Sequence, residues 1–381
     1  MKKNIKIIFV ILGLLAVLEV FLALSHKHFQ KSLHNTGDTN EAYLKQVADI
    51  NIKDHYRVLV LSSGGGEKTL GYNLTQAANN IGWDSVQLMF AQDLHEQIER
   101  FNPDFIVSLG DNPYDYPSDY RIYSFIDLPT KRLLSYNHFT FNTEFIKRIK
   151  PSIEHSSGFL CGFPGMSVLN KFFTRETGRK FYGIPFYTYV PKSQYQHIEP
   201  RKIAHIGYNI DSLRGSDRYK DFFKLLSKDG IIAVYGIKKS WTYLSESWGG
   251  FVPNEKVREV LSGNGIVLVL HSSVHLNDNL VSSRIMEAVA ASAMVISDRN
   301  PAVIEAFGDN VLYIDHTKSA QEIYQQIRTH YDWIQTHPKE VAQMTKANHE
   351  VFLRRFTAEN GMRDVAKLHE YILTQEKARL P

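Results

Sequence analysis

Cysteine is almost absent: the 381 residues include one, Cys161. One cysteine forms no internal disulfide, and no Cys/His cluster has zinc spacing, so nothing here implies a structural metal. Cys161 itself reads as a small buried residue closing a strand. Charge of one sign is scarce too. Forty-four Lys and Arg stand against 40 Asp and Glu, for a net charge of +4. With no basic stripe or cluster, the chain does not look like a nucleic-acid binder. Low-complexity stretches and repeats at a solenoid period are missing. No paired Asp-x-Asp motif is present; the nearest match, Asp217, stands without a partner, so no catalytic metal is expected. The turn Gly64-Gly65-Gly66 lacks the Lys-Ser/Thr of a P-loop, and its spacing fits a dinucleotide fingerprint poorly.

What remains is the mixture of a folded protein, 43% hydrophobic and 22% charged, in a length that suits two α/β domains. One long apolar run exists. Ile5 to Leu24 is interrupted only by Lys6 and Glu19 and is about long enough to cross a bilayer. It reads as an uncleaved N-terminal transmembrane anchor within residues 1–30. The competing reading is a cleaved leader, since Ala23-Leu24-Ser25 passes loosely as a cleavage site. Basic residues flank the run on both sides, so they orient it weakly. Residues 31–56 are polar and read as a linker containing a short helix.

Folded structure is expected from Arg57. Arg57–Leu61 is a continuous apolar run closed by Ser62-Ser63-Gly64-Gly65-Gly66, the pattern of a buried parallel strand and a tight turn. A helix over Thr69–Ile81, a strand over Val86–Phe90, a helix over Ala91–Phe101 and a strand over Phe105–Leu109 follow. Asn112–Pro117 is turn-rich. The pattern resumes over Arg132–Tyr136, with a helix near Thr143–Ile149 and a strand near Gly158–Cys161. Pro185–Pro200 reads as the interdomain linker. A second series then has strands at Lys202–Ile206, Ile231–Tyr235, Ile266–Leu270, Met294–Ser297 and Val311–Ile314. Helices lie between them at Tyr219–Leu226, Asn254–Leu261, Ser283–Ala291 and Ala302–Phe307, and everything from Ala320 on looks helical. Strands alternating with helices imply parallel sheets. The expected fold class is thus α/β with two Rossmann-like lobes, residues 57–190 and 200–335. Helices over 336–381 return to the first lobe, because Val365, Leu368, Tyr371 and Ile372 recur at helical spacing and need a surface to cover.

Ligands of open parallel sheets bind at the carboxyl ends of strands. In the second lobe those ends carry Gly207-Tyr208-Asn209, Gly236-Ile237-Lys238-Lys239 and His271-Ser272-Ser273. The next helix opens at Ser282-Ser283-Arg284. Its free N–H groups and partial positive charge suit a diphosphate, and Arg284 adds a forked cation in the first turn. Glu287 lies on the same face. An ordinary i,i+3 ion pair on a solvated helix competes with that reading.

The run from Arg284 to Asp298 resembles the donor-site block of GT-B glycosyltransferases, and is most similar to the spore-maturation-type group. The pattern there is Arg, two residues, Glu-Ala, a small triplet, an apolar strand and an acid. Ala204-His205-Ile206-Gly207, Val234-Tyr235-Gly236, Gly249-Gly250-Phe251-Val252-Pro253 and Phe307-Gly308-Asp309-Asn310 resemble flanking segments of the same family. The resemblance covers residues 202–335 well and the first lobe only in pattern. It implies transfer of a sugar from a nucleotide-sugar donor to a glycan, lipid or protein acceptor. It implies that Glu287 bonds the ribose and that Arg284 faces the phosphates, with Ser282, Ser283, Gly207, Arg214, Arg218, Lys238 and His271 lining the donor site. Asp111 and His138 are the candidate bases for an inverting transfer. The Gly64-Gly65-Gly66 turn becomes an acceptor-side or interdomain loop. Two departures stand out. The small triplet ends in Ser292 where the family usually has Gly, and Asn279 occupies the position where many retaining relatives carry a further Glu.

No cofactor is expected beyond the donor as substrate. Nucleotide sugars are cytosolic in bacteria, which places the expected enzyme at the inner membrane facing the cytosol. Two rival readings remain: a two-lobed periplasmic-type sugar-binding protein, and a nucleotide-sugar epimerase of GT-B shape.

Overall fold

The computed structural model describes residues 40–62, 66–89, 93–109, 120–126, 156–161, 174, 178, 182–187, 189–208 and 211–378. A first helix, α1 (Asn40–Ala48), precedes β1 (Arg57–Ser62), α2 (Gly66–Asn80), β2 (Asp84–Met89), α3 (Leu94–Phe101), β3 (Phe105–Leu109), β4 (Ile122–Ile126), β5 (Gly158–Cys161) and β6 (Gly183–Pro185). These strands form one parallel sheet in the order β2-β1-β3-β4-β5-β6. The apolar runs Val58–Leu61 and Phe105–Leu109 occupy its centre, where both faces are covered. Such runs are stable only when neither face meets water.

The second series is β7 (Lys202–Ile206), α4 (Asp217–Lys228), β8 (Ile232–Tyr235), α5 (Val257–Asn264), β9 (Gly265–Val269), α6 (Ser273–Asp278), α7 (Ser283–Ala290), β10 (Met294–Asp298), α8 (Pro301–Phe307), β11 (Leu312–Ile314), α9 (Ala320–Thr336), α10 (Pro338–Arg355) and α11 (Ala358–Lys377). Its sheet is parallel in the order β11-β10-β9-β7-β8. Period-two alternation divides the strands between two cores. Ile203, Ile266, Leu268, Met294 and Ile296 meet α4 and α9 on one face. Ala204, Val267, Val269 and Val295 meet α5, α7, α8 and α10 on the other. Two parallel sheets flanked by helices are therefore the architecture.

Three elements differ from expectation. β4 was unread because its five residues follow a turn-rich stretch. β6 is only three residues long and begins with the glycine that lets the ring of Phe159 lie against it. A Cβ at Gly183 would sit 2.6 Å from that ring. β6 also ends on Pro185, so the connector to the second sheet is the extended stretch 191–200. The return to the first lobe is later than residue 336. α10 stays on the second lobe through Val341 and Phe352. Only α11 crosses back, laying Met362, Val365, Leu368 and Ile372 against Tyr56, Leu74, Phe105 and Tyr123.

The two crossings run side by side. Val190 pairs in parallel with Thr357, and the Ala358 N–H donates to the Val190 carbonyl at 2.8 Å. Glu359, almost fully buried, accepts from the Lys192 N–H at 2.9 Å and from Asn80 Nδ2 at 3.3 Å. Gly361 packs directly on the Tyr189 ring, where a Cβ would approach to 2.6 Å. Facing the cleft, Asn254 of the second lobe donates to the Thr69 hydroxyl of α2 at 2.5 Å.

Candidate active site

In the second sheet the strand order reverses between β7 and β9, since β7 lies next to both β8 and β9. A crevice opens at the carboxyl ends of strands at such a switch point. The first wall is Gly207. Gly236, with φ +132°, follows β8 so closely that a Cβ there would stand 2.6 Å from the Gly207 carbonyl. A side chain at this position would part the two strand ends. Trp241, fully buried, fastens the same corner by donating from Nε1 to the Gly207 and Tyr235 carbonyls at 3.3 and 3.2 Å.

The opposite wall is the entrance of α7. Ser282 caps the helix, its hydroxyl accepting the Arg284 N–H at 3.3 Å. Ser283 is the first helical residue. Arg284 Nη1 donates to Glu287 Oε2 along the same face. Both side chains are mostly covered, with 22% and 15% of their surface exposed. Burial pushes the Glu287 carboxyl above the usual glutamate range, and the Arg284 charge opposes it. Arg284 and Glu287 are thus largely desolvated groups at a helix N-terminus, unlike the solvated surface pair that competes with the donor reading.

His271, two residues past β9, and Asp298, the last residue of β10, are both fully buried. His271 Nδ1 lies 2.5 Å from Asp298 Oδ1, and the His271 main-chain N–H donates to Oδ2 at 2.8 Å. His271 Nε2 accepts the Ser282 N–H at 3.3 Å. His275 stands behind, its ring centroid 6.0 Å from that of His271. Burial lowers His275 to about 4. Asn300 ties the underside by donating to the Leu280 carbonyl at 2.9 Å while capping α8.

The expected basic residues separate. Arg214 is turned onto Asp211, which also accepts the Leu213 and Arg214 N–H groups at 3.1 Å. Burial would raise the Asp211 carboxyl, but the Arg214 side-chain and backbone hydrogen bonds outweigh it and hold it below the usual range. Arg218 points to the loop after β11, donating to the Thr317 and Lys318 carbonyls at 3.0 and 3.3 Å. Lys238 lies over the Trp248 ring at 5.5 Å. His271 is engaged on both ring nitrogens and reaches the crevice through α7, not with its own ring. Asp111 and His138 lie outside the described residues. So do Gly64, Gly65 and the apolar run Ile5–Leu24. No helix among the described residues is long and apolar enough to cross a membrane.

Sequence reading missed Asp211, His275 and Asn300, and it did not pair Asp298 with His271. Asp211 carried the one available signal. An Asp two and three residues before bonded N–H groups forms an Asx-type turn.

Ser292 has φ +58°, the left-handed region glycine favours. Its hydroxyl accepts the Gln196 N–H at 3.1 Å, so the serine tethers the connector where the family's glycine would leave it free.

Residues 218–367 match the glycosyl transferase-like family. That segment contains α7, Arg284, Glu287 and Asp298. No curated protein matches the sequence. Several solved structures share the fold. Sucrose-phosphate synthase from Thermosynechococcus elongatus aligns with TM-score 0.52 and 9% identity over 85% of this chain and 100% of that one. Anabaena HepE in complex with UDP-glucose aligns at 0.51 and 11% identity, over 82% and 99%. WaaG, a glycosyltransferase of lipopolysaccharide biosynthesis, aligns at 0.51 and 9% identity, over 82% and 99%. The fold is the two-lobed GT-B architecture. The segment in the second lobe is similar to the broad glycosyl transferase-like family, and the match does not single out the spore-maturation-type group.

Proposed function

We propose that the protein transfers a sugar from a nucleotide-sugar donor held in the β7/β9 crevice. The observation that carries this reading is the largely desolvated Arg284–Glu287 pair at the entrance of α7. The donor diphosphate lies against Ser283 and the first turn of α7, with the helix dipole and Arg284 offsetting the charge that develops on the leaving group. Glu287 accepts from the ribose hydroxyls. The nucleotide-bearing neighbour, HepE with UDP-glucose, supports a diphosphate donor in this fold. Arg284 and a helix N-terminus take the role a divalent metal plays elsewhere, so the transfer proceeds without one. The acceptor is a glycan, lipid or protein entering from the first lobe. Asp111 and His138 remain the proposed bases. Residues 1–30 anchor the enzyme at the inner membrane with both lobes toward the cytosol, where nucleotide sugars are made.

The test is thermal stabilisation by UDP, GDP and ADP against free sugars, followed by donor hydrolysis with and without EDTA. Stabilisation by a nucleoside diphosphate and hydrolysis that survives EDTA are expected. Stabilisation by a free sugar alone would overturn the reading in favour of a sugar-binding protein. Loss of hydrolysis on chelation, restored by Mg²⁺ or Mn²⁺, would overturn the metal-free transfer.

A further inference from the structure

We propose that His271 is a positioning residue of the donor site, fixing the entrance of α7 through one nitrogen of a single tautomer without touching the donor. The inference rests on the donor reading of α7 given above. Its basis is a proton count. The Ser282 main-chain N–H can only donate, so the Nε2 that faces it at 3.3 Å is a bare lone pair. The ring proton therefore resides on Nδ1, which stands 2.5 Å from the Asp298 carboxylate, a group that can only accept while ionised. The same carboxylate also takes the His271 main-chain N–H at 2.8 Å, so it fixes both the ring and the backbone that bears it.

From there the bonds run outward. His271 holds Ser282, the Ser282 hydroxyl holds the Arg284 N–H at 3.3 Å, and the Arg284 guanidinium meets Glu287. One line of hydrogen bonds thus leads from the end of β10 to the two groups assigned to the donor. The alternative tautomer would set two N–H groups against each other beside a fully buried ring, leaving a donor unsatisfied. A carboxylate that selects a histidine tautomer, so that the other nitrogen performs a directed task, is a general device.

Two variants separate positioning from simple packing. His271→Asn can still donate to Asp298 but is too short to reach Ser282. His271→Gln places an acceptor near the Nε2 position. The probe is whichever of UDP, GDP and ADP binds the wild-type chain most tightly, measured by calorimetry. The Asn variant is expected to bind about tenfold more weakly and the Gln variant within about threefold of wild type, with similar melting temperatures for the two. A long-range ¹H–¹⁵N spectrum of histidine-labelled protein is expected to show Nδ1 protonated and Nε2 bare for one ring that the His271→Gln variant lacks. Equal affinities for the Asn and Gln variants, or a protonated Nε2 on that ring, would overturn the proposal. Should the wild-type chain bind none of the three nucleotides, the donor reading itself fails, and the ring spectrum still tests the bond to Ser282.

Discussion

Glu287 shows how burial prepares a carboxylate. Its raised pKa arises from burial, only partly opposed by Arg284. Ribose hydroxyls donating to it favour the ionised form, so nucleotide binding expels a proton from the fraction still protonated. Affinity is therefore expected to rise with pH from the usual glutamate range upward and to level off above the raised value. Calorimetry in buffers of different ionisation enthalpy reads the released proton. The Glu287→Gln variant should show no such pH dependence, and Glu287→Ala should lose roughly 1–3 kcal/mol of binding with the fold intact. A pH-independent affinity in the wild type would count against a ribose contact. The positions of Arg284 and Glu287 were legible because an i,i+3 spacing at a helix start fixes their shared face. The partners of Arg214 and Arg218 were not. A long flexible cation after a loop has many reachable acceptors, and Asp211 and the Thr317 carbonyl are set by tertiary folding.

Elements were legible wherever a single period dominates. The apolar runs of β1, β3 and β9 read directly as strands. β4, an interior strand, escaped because it follows a turn-rich stretch, β6 because three residues at the sheet edge carry little period, and α6 because its six residues lie inside what reads as a loop. The helix α11 combines both cases. Its apolar stripe was readable, but His369 within it was not. This ring is buried, and its Nδ1 faces the Tyr123 hydroxyl at 3.0 Å. Burial lowers it from 6.5 to about 4, and Glu370, Lys53, Asp104 and Arg121 act on it more weakly. A histidine with a depressed folded pKa contributes stability that is complete above its unfolded value and is lost as pH falls toward the folded one. The docking of α11 should therefore weaken between about pH 6.5 and 4, by on the order of 2–3 kcal/mol from this residue. Urea unfolding followed across that range should show a shallower acid loss in His369→Gln than in the wild type. Identical slopes in the two proteins would assign the acid sensitivity elsewhere.

At the scale of the molecule, the two lobes are joined by a pair of chain crossings whose partners are far apart in sequence. Composition could suggest a connector within 185–200, but not that Thr357 would pair with Val190. That pairing follows from where α11 finds its apolar surface. Ala358, Met362, Val365, Ala366, Leu368 and Ile372 all belong to the core of the first lobe, while both cores of the second lobe close without any residue beyond Phe356. Removing residues 358–381 should therefore act on the two lobes unequally. The second lobe keeps both its faces covered. The first loses a helix whose buried side chains contribute on the order of 10 kcal/mol at about 1.5–3 kcal/mol each, an upper figure because the unfolded chain already hides some of this surface. That is comparable to the whole stability of an ordinary domain. Limited proteolysis of the truncated chain should then cut within residues 40–190 while leaving 202–355 protected, and any nucleoside diphosphate that binds the full chain should still protect the surviving fragment. The second outcome follows because Arg284, Glu287, His271 and Asp298 all belong to the second sheet and its helices. Uniform cleavage across both lobes would mean that the second lobe depends on the first for its fold. A truncated chain with its first lobe still resistant would mean that α11 only covers that surface and is not required to hold it together.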